Sequence, residues 1–246
     1  MTPCRVITTL VVANLVIIVF AVILGLGTAG KPSRYFGEGR FTTGFSCAQL
    51  LATAFLSSRI FLARQPLASN VGPLSAAWVW AFIAAGFVFL AGDDAFQIHE
   101  RLDATLHATL HIQETEFTDR LDDGIIAIYG FIGLAVLWLF RKEILFCPQI
   151  RRPLRGGFLC LFASVACDAI SNGDQFPAWL SSNVATEKRL NSWFGVGDGA
   201  FTLLAEGFFL AAFYLVNRAT IASPRPAMQS TVSVPQSPYD GSGSLY

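Results

Sequence analysis

The sequence predicts an all-α fold, a polytopic bundle of about six transmembrane helices. Of its 246 residues, 53% are hydrophobic and only 14% are charged, whereas soluble domains carry about 25% charged residues. The hydrophobic residues are concentrated in six apolar segments. The formal net charge is zero, and the sequence has no zinc-finger, helix-turn-helix or phosphate-loop pattern, so a nucleic-acid-binding role is excluded.

Each apolar segment is interpreted as one span, because about 20 apolar residues cross the hydrocarbon core as a helix. The spans cover residues 6–27, 41–62, 74–92, 124–140, 156–171 and 193–216. The fourth and fifth are short and must recruit flanking residues. The first is longer than the hydrophobic region of a secretory signal, which favours an uncleaved span. A membrane domain thus covers 1–222, and the Ser-, Pro- and Gly-rich residues 223–246 are a disordered cytoplasmic tail.

The basic residues predict the orientation in a bacterial inner (plasma) membrane. The connection "RKEILFCPQIRRPLR" after the fourth span is the most basic loop, so we place it in the cytoplasm. Both termini are then cytoplasmic and residues 93–123 lie outside. Loop 28–40 is also basic although this orientation places it outside. A five-span alternative, with the first segment cleaved, keeps the orientation of everything downstream. The five tryptophans fall near span ends, as interfacial aromatics do.

The stretch "GDDAFQIHERLDATLHATLHIQETE", residues 92–116, follows the third span and contains all three histidines. If it continues the span as one helix, Asp93, Glu100, His107 and Glu114 share a face beside a leucine stripe. This makes an amphipathic extracytoplasmic segment, although its alternation also fits an extended chain. A polar face exposed to water at the membrane surface is the structural alternative to a binding site.

Two later spans also carry acidic residues at helical spacing. Ser164, Asp168 and Asn172 lie four apart in the fifth span, and Asp198, Thr202 and Glu206 do so in the sixth. Acidic residues within spans are rare and usually functional. The orientation places Asp168 and Asp198 at the outer level of Asp93 and Asp94, with Glu206 about 12 Å deeper.

Carboxylates and imidazoles gathered at one depth predict a divalent metal site at the outer face, for zinc, iron or manganese. Such a metal could activate water against a lipid ester or amide, as a metal-dependent lipid hydrolase does. The candidates are ranked in three groups. The proposed ligands are Asp94, His99, Glu100, Asp168 and Asp198. Asp93, Glu206 and Asn172 are candidates for orienting those ligands or relaying a proton, and the weaker candidates are Asp103, His107 and His111.

The motif "FLAGDDAFQIHERL" resembles a D-(D/E)-x-x-x-(I/L)-H-E signature of uncharacterised bacterial multi-span membrane proteins. That resemblance covers mostly residues 87–102 and implies that Asp94, His99 and Glu100 matter, without implying an activity. The alkaline ceramidase-like membrane metal hydrolases are a distant analogy of chemistry. This chain lacks the late paired histidines of those enzymes.

Two other function classes stay open beside the enzyme. A proton- or cation-coupled transporter would line its path with Asn14, Gln49, Asp168, Asp198 and Glu206. In a non-catalytic membrane assembly subunit, the same carboxyl groups would only join helices. Asn14 and Gln49 are expected mainly as interhelical hydrogen-bond partners, and Arg59 as a side chain that reaches the interface. Membrane lipids are the expected partners, with a homo-oligomer or membrane complex left open.

Overall fold

The computed structural model describes residues 2–37, 39–65, 76–110, 121–171 and 184–222. Within these ranges the chain is helical and has no strand, which confirms the all-α fold class. The helices are α1 (Pro3–Ala29), α2 (Phe41–Arg64), α3 (Trp78–Phe96), α4 (Ile98–Leu110), α5 (Leu121–Leu139), α6 (Arg141–Ile144), α7 (Arg151–Ser171) and α8 (Val184–Ala222). Short 3-10 turns occupy Pro32–Tyr35 and Pro148–Ile150. The predicted tail, 223–246, lies outside the described residues.

Among the described helices, five are long and apolar enough to cross a membrane. They are α1, α2, α3, α7 with its preceding turn, and Thr186–Ala222 of α8, which correspond to five of the six predicted spans. The predicted span 124–140 coincides with α5, whose described apolar part is only Ile128–Leu139. The chain is therefore a membrane-embedded helical protein, and the count of six spans stays a prediction.

The helices alternate in direction, so the bundle has two ends. We call them the α4 end, where α2 begins and α3 finishes, and the α6 end, where α2 finishes and α3 begins. Helix α8 is central, since it packs against α1, α2 and α7, and α2 packs in turn against α3. Its 39 residues span about 58 Å, nearly twice the hydrocarbon core. Part of α8 must therefore lie outside that core.

An apolar core fills the α6 end of the bundle. Its largest fully buried side chain is Trp80 of α3, which packs edge-on against Phe213 of α8 with ring centroids 5.9 Å apart. The buried members are Ile60, Val79, Trp80, Ile83, Ile144, Cys147, Ile150, Ala212, Phe213 and Val216. Trp80 therefore faces the protein interior and not lipid. Tertiary packing buries it, and its indole N–H donates to the Glu143 carboxylate.

A partly buried ion pair connects the elements at the α6 end. Arg64, the last residue of α2, pairs with Glu143 of α6, and its Nη2 donates to Glu143 Oε2 at 2.9 Å. Trp80 Nε1 donates to Glu143 Oε1 at 3.0 Å. The Arg64 guanidinium also lies 4.3 Å from the centroid of the Phe146 ring. One carboxylate thus joins α2, α3 and the connection between α5 and α7.

Residues 93–110 do not form one helix. Helix α3 ends at Phe96, Gln97 adopts the left-handed conformation (φ 53°, ψ 51°), and α4 begins at Ile98. The sequence left open whether one helix continues through this stretch, and over residues 93–110 the chain forms two helices. Because the break changes the helical phase, Asp93 and Glu100 do not stack as a seven-residue repeat would place them. Residues 111–120 lie outside the described ranges.

The chain reverses after α1 and packs back against α8. Gly30 has a positive φ of 63°, and a Cβ on Gly25 would lie 2.6 Å from the Lys31 carbonyl oxygen. Beyond the reversal, Ser33 Oγ lies 2.8 Å from Ser192 Oγ of α8. The predicted loop 28–40 is therefore folded against α8 over the part that the structure describes.

Candidate functional site

Polar side chains from four helices meet in one buried hydrogen-bonded group near the α4 end. We call it the carboxyl network. Its members are Asn14 of α1, Ser46 and Gln49 of α2, Asp94 of α3 and Glu206 of α8. All but Asp94 are buried, with Glu206 only 7% exposed. Side chains that are so distant in sequence meet because α8 packs against α1 and α2, and α2 against α3.

Ser46 lies at the centre of the carboxyl network, between its two carboxyl groups. Its Oγ is 2.6 Å from Asp94 Oδ2 and 2.5 Å from Glu206 Oε1. A serine hydroxyl has one hydrogen to donate and two lone pairs that accept. Both contacts are short enough to be hydrogen bonds with an O–H donor, but Ser46 can donate to only one of the two carboxyl groups at a time.

A pair of amides supports the other oxygen of Glu206. Gln49 Nε2 donates to Glu206 Oε2 at 3.4 Å and to Asn14 Oδ1 at 3.0 Å. Asn14 Nδ2 donates back to Gln49 Oε1 at 3.1 Å and to the Leu10 carbonyl at 3.0 Å. The prediction that Asn14 and Gln49 bond between helices is confirmed. The amides orient the carboxyl group that α8 brings into the bundle.

Gly207 lets α8 approach this amide pair closely. A Cβ at position 207 would overlap Asn14 Nδ2 and lie 3.2 Å from Gln49 Oε1. Any side chain there must displace the amide ends of Asn14 and Gln49, or move the helices that carry them. Small residues at helix interfaces in membranes allow this kind of contact. Glycine at 207 is therefore a structural condition for the carboxyl network.

A second polar group joins α7 to α8. Ser164 Oγ donates to Asp198 Oδ1 at 2.6 Å and lies 2.8 Å from Thr202 Oγ1. Asp198 precedes Glu206 by eight residues, or about 12 Å along the helix axis. The predicted polar faces of the fifth and sixth spans therefore meet through Ser164, which contacts Asp198 and Thr202. Asp168 lies on α7, where its backbone carbonyl accepts a bond from Ser171 Oγ at 3.0 Å.

The depth predicted for Asp94 is wrong. The sequence placed Asp94 with Asp198 at the outer level, yet Asp94 shares a hydroxyl with Glu206. The reason is that α3 continues as a helix to Phe96, so Asp94 lies within α3 and faces the bundle. The acidic groups therefore occupy two levels, with Asp94 and Glu206 together and Asp198 nearer the start of α8.

Asp93 and His99 hold the corner between α3 and α4. Asp93 Oδ1 accepts from the His99 backbone N–H at 2.9 Å, and Asp93 Oδ2 lies 3.0 Å from His99 Nδ1. The Asp93 carbonyl accepts from Gln97 N at 2.7 Å. Asp93 thus ends one helix with its backbone and caps the first turn of the next with its side chain. Both side chains are buried, 6% and 7% exposed.

The predicted metal ligands are divided among different surroundings. Asp94 is in the carboxyl network, Asp198 is with Ser164, and His99 is with Asp93. Glu100 is exposed on α4. In the ranges that the structure describes, no group of three or more His, Cys, Asp or Glu side chains is placed to hold a metal ion. The metal site stays a prediction.

Of the weaker candidates, only His107 has a described side chain. His107 lies on α4 and is partly buried. Asp103 is on the same helix, but its side chain is outside the described set, as are residues Asn172 and His111 altogether.

Sequence reasoning missed Ser46, although a signal for it existed. The buried polar side chains of α2 recur every three or four residues, which is the spacing of one helix face. They are Thr42, Ser46, Gln49, Thr53 and Ser57. A face of small polar residues in an apolar span indicates an interhelical contact.

Arg59 is exposed, with its guanidinium 6.0 Å from the centroid of the Phe55 ring, and it takes no part in the carboxyl network.

Comparison with known proteins identifies a family but no activity. A family described as "Domain of unknown function (DUF8692)" matches residues 5–200. The chain belongs to this family. The matched range contains Asn14, Ser46, Gln49 and Asp94, and it ends six residues before Glu206. Neither a curated protein nor a solved structure matches the chain.

Proposed function

We propose that the protein is a proton-coupled membrane transporter that binds its proton in the carboxyl network. The observation that carries the proposal is the single Ser46 hydroxyl in contact with both Asp94 and Glu206. If both carboxyl groups were ionised, one of them would face a hydroxyl lone pair, beside a second negative charge and away from water. A proton on one carboxyl group removes this conflict, because that group then donates to Ser46.

The same geometry provides a path for proton transfer. Glu206 can give its proton to Ser46 Oγ while Ser46 gives its own to Asp94. The hydroxyl is regenerated, and one proton has moved from Glu206 to Asp94. Proton relays through membrane proteins use intramembrane acidic residues in this way. The amides of Gln49 and Asn14 orient Glu206 and do not carry the proton.

The two ends of the bundle differ in a way that favours a carrier over an open channel. Toward the α6 end, the apolar core of Trp80, Phe213 and their neighbours contains no described acidic relay beyond the Arg64–Glu143 pair. Toward the α4 end, Asp198 offers a second acidic group with Ser164 and Thr202. Protons would therefore load from the α4 end. We assign that end to the outside of a bacterial inner membrane, with the termini in the cytoplasm, from the distribution of basic residues.

The metal-dependent lipid hydrolase and the assembly subunit remain competing proposals. A hydrolase needs several donors converging on one ion, whereas the predicted ligands Asp94, Asp198 and His99 have different hydrogen-bond partners. An assembly subunit would use the same hydrogen bonds only to hold α1, α2, α3 and α8 together. Proton flux distinguishes the transporter from both, because neither of the others moves protons across the membrane.

The first test is infrared spectroscopy of the purified protein in lipid at neutral pH. A protonated carboxyl group has its own carbonyl band, and we expect this band in the wild type and its loss in Glu206→Gln. The matched control is Glu100→Gln, which removes an exposed carboxyl group on α4 and should leave the band unchanged. A wild-type spectrum without this band would refute the proposal.

Transport is tested in liposomes that enclose a pH-sensitive dye. After an external pH jump with an imposed membrane potential, the wild type should move protons faster than protein-free liposomes. Glu206→Gln should lower the rate at least about a hundredfold, the lower end of the effect expected when an acid–base group is lost. A protonated carboxyl group without any flux would leave proton binding intact and refute transport.

A further inference from the structure

An apolar groove opens between α5 and α7 at the α6 end. It has a volume of about 230 Å³ and lies away from the carboxyl network. Its walls include Leu134, Leu137 and Trp138 of α5 and Leu154 and Phe158 of α7. The volume exceeds the ~150 Å³ of a cavity that accommodates a benzene ring. The groove is thus wide enough for a segment of hydrocarbon chain.

Arg141, the first residue of α6, contributes a positive charge to the groove. Arg141 is the only charged residue among the lining side chains of this described pocket. Its guanidinium lies 4.8 Å from the centroid of the Trp138 ring, and Nη1 donates to the Trp138 carbonyl at 3.2 Å. A guanidinium has five N–H donors in a planar fork that matches a phosphate group. The bond to Trp138 uses one donor and fixes the direction of the others.

Further basic residues surround this rim. Between residues 141 and 155 the chain has five basic residues and one acidic residue, Glu143, and Glu143 is engaged by Arg64. Lys142, Arg151 and Arg155 are exposed. Arg151 and Arg155 precede Phe158 by seven and three residues, so they lie on the groove-lining side of α7. The whole chain has zero net charge, but the excess of basic residues in this segment makes this end locally positive.

We propose that the groove is a binding site for one anionic phospholipid. Its phosphate would bind Arg141 with help from the basic residues of α7, and an acyl chain would run along Leu137 and Leu134. Leu134 lies five residues before the end of α5 at Leu139, and so about 8 Å deeper along the helix than that end, which orients the chain toward the bilayer interior. Basic pockets between helices at one membrane face recognise acidic lipid headgroups in this way. The proposal is independent of proton transport.

The test uses delipidated full-length protein in a neutral detergent. Phosphatidylglycerol or phosphatidylcholine with identical acyl chains is titrated in, and bound lipid is counted by native mass spectrometry. We expect one phosphatidylglycerol to bind about tenfold more tightly than phosphatidylcholine, the size of one charge-assisted contact. Arg141→Gln should abolish this preference. Arg5→Gln removes an exposed arginine at the same end of the bundle and should keep it.

A groove-filling variant tests the site of the acyl chain. Leu134→Trp places a bulky ring in the groove without changing the charge, and it should weaken the binding of both lipids. Equal binding of the two lipids by the wild type, or equal losses in Arg141→Gln and Arg5→Gln, would overturn the proposal. So would a stable dimer that Leu134→Trp dissociates, because a second copy of the chain would then occupy the groove.

Discussion

Asp94 and Glu206 share one hydrogen-bond partner, although they lie on different helices and far apart in the chain. Ser46 Oγ is 2.6 Å from the first carboxyl group and 2.5 Å from the second. The three oxygens form a row that crosses from α3 through α2 to α8. Substitutions that remove one of these three oxygens should impair function, whereas substitutions elsewhere should only affect packing.

Replacing Ser46 should separate these two effects. Ser46→Ala removes the bridging hydroxyl, so we expect proton flux in liposomes to fall at least about tenfold. The free energy of unfolding should fall by only about 1 kcal/mol, as for other interhelical hydrogen bonds in membranes. Ser46→Thr keeps the hydroxyl and should retain most of the flux. Equal flux in the Ala and Thr variants would show that the hydroxyl does not carry protons.

A methyl group at Gly207 should disturb the amide pair by overpacking. Gly207→Ala places a Cβ against Asn14 and Gln49, so we expect a loss of about 1–3 kcal/mol in unfolding free energy. The control is Gly86→Ala in α3, where a Cβ meets no atom within 4 Å. Reversible unfolding in mixed micelles measures both. A Gly207→Ala protein as stable as the control would contradict the close approach of α8 to α1.

The corner between α3 and α4 should become less stable when the hydrogen bonds of the Asp93 side chain are removed. Asp93→Ala leaves the backbone N–H of His99 without the carboxylate that caps it, at an expected cost of about 1 kcal/mol. Hydrogen–deuterium exchange should increase in residues 98–102 of α4. The control Glu100→Ala lies in the same turn but has an exposed side chain. Unchanged hydrogen–deuterium exchange in Asp93→Ala would mean that the Asp93–His99 hydrogen bonds do not stabilise the corner.

The ion pair at the α6 end should behave as a coupled unit. Glu143→Ala removes the partner of both Arg64 and Trp80. Because the Arg64 and Glu143 side chains are 18% and 13% exposed, we expect a loss of about 2 kcal/mol, below the 3–5 kcal/mol of a fully buried pair.

A double-mutant cycle checks this coupling. The double variant Arg64→Ala/Glu143→Ala should lose less unfolding free energy than the sum of the two single losses. Additive losses would show that the pair is not coupled.

Metal content distinguishes the transporter from the hydrolase. Protein purified without chelator and without a nickel affinity step should contain no stoichiometric zinc, iron or manganese. The comparison is a folded double variant, Asp94→Ala/His99→Ala. Near one equivalent of metal in the wild type that this variant loses would favour the metal-dependent hydrolase and count against the proton-coupled transporter.

Most of the helical framework could be predicted because it depends on local properties. A run of apolar residues long enough to cross a bilayer is readable without knowing any neighbour, and five such helices are present in the described ranges. Asn14 and Gln49 were identified as interhelical partners for the same reason, since an amide in an apolar span has few other partners. The corner at Gln97 was not predictable, because a left-handed glutamine has no strong local signal.

The sequence by itself therefore determined that this is a membrane-embedded helical protein and that its intramembrane acids are its most informative residues. Only the tertiary structure decided which of those acids meet. The partners of Asp94, Glu206 and Asp198 depend on how each helix is rotated and offset against the next. Rotation and offset result from packing between segments that are distant in sequence, such as Gly207 against Asn14. A span's hydrophobicity is a sum over neighbouring residues, whereas a hydrogen bond between helices requires two specific positions to coincide in space.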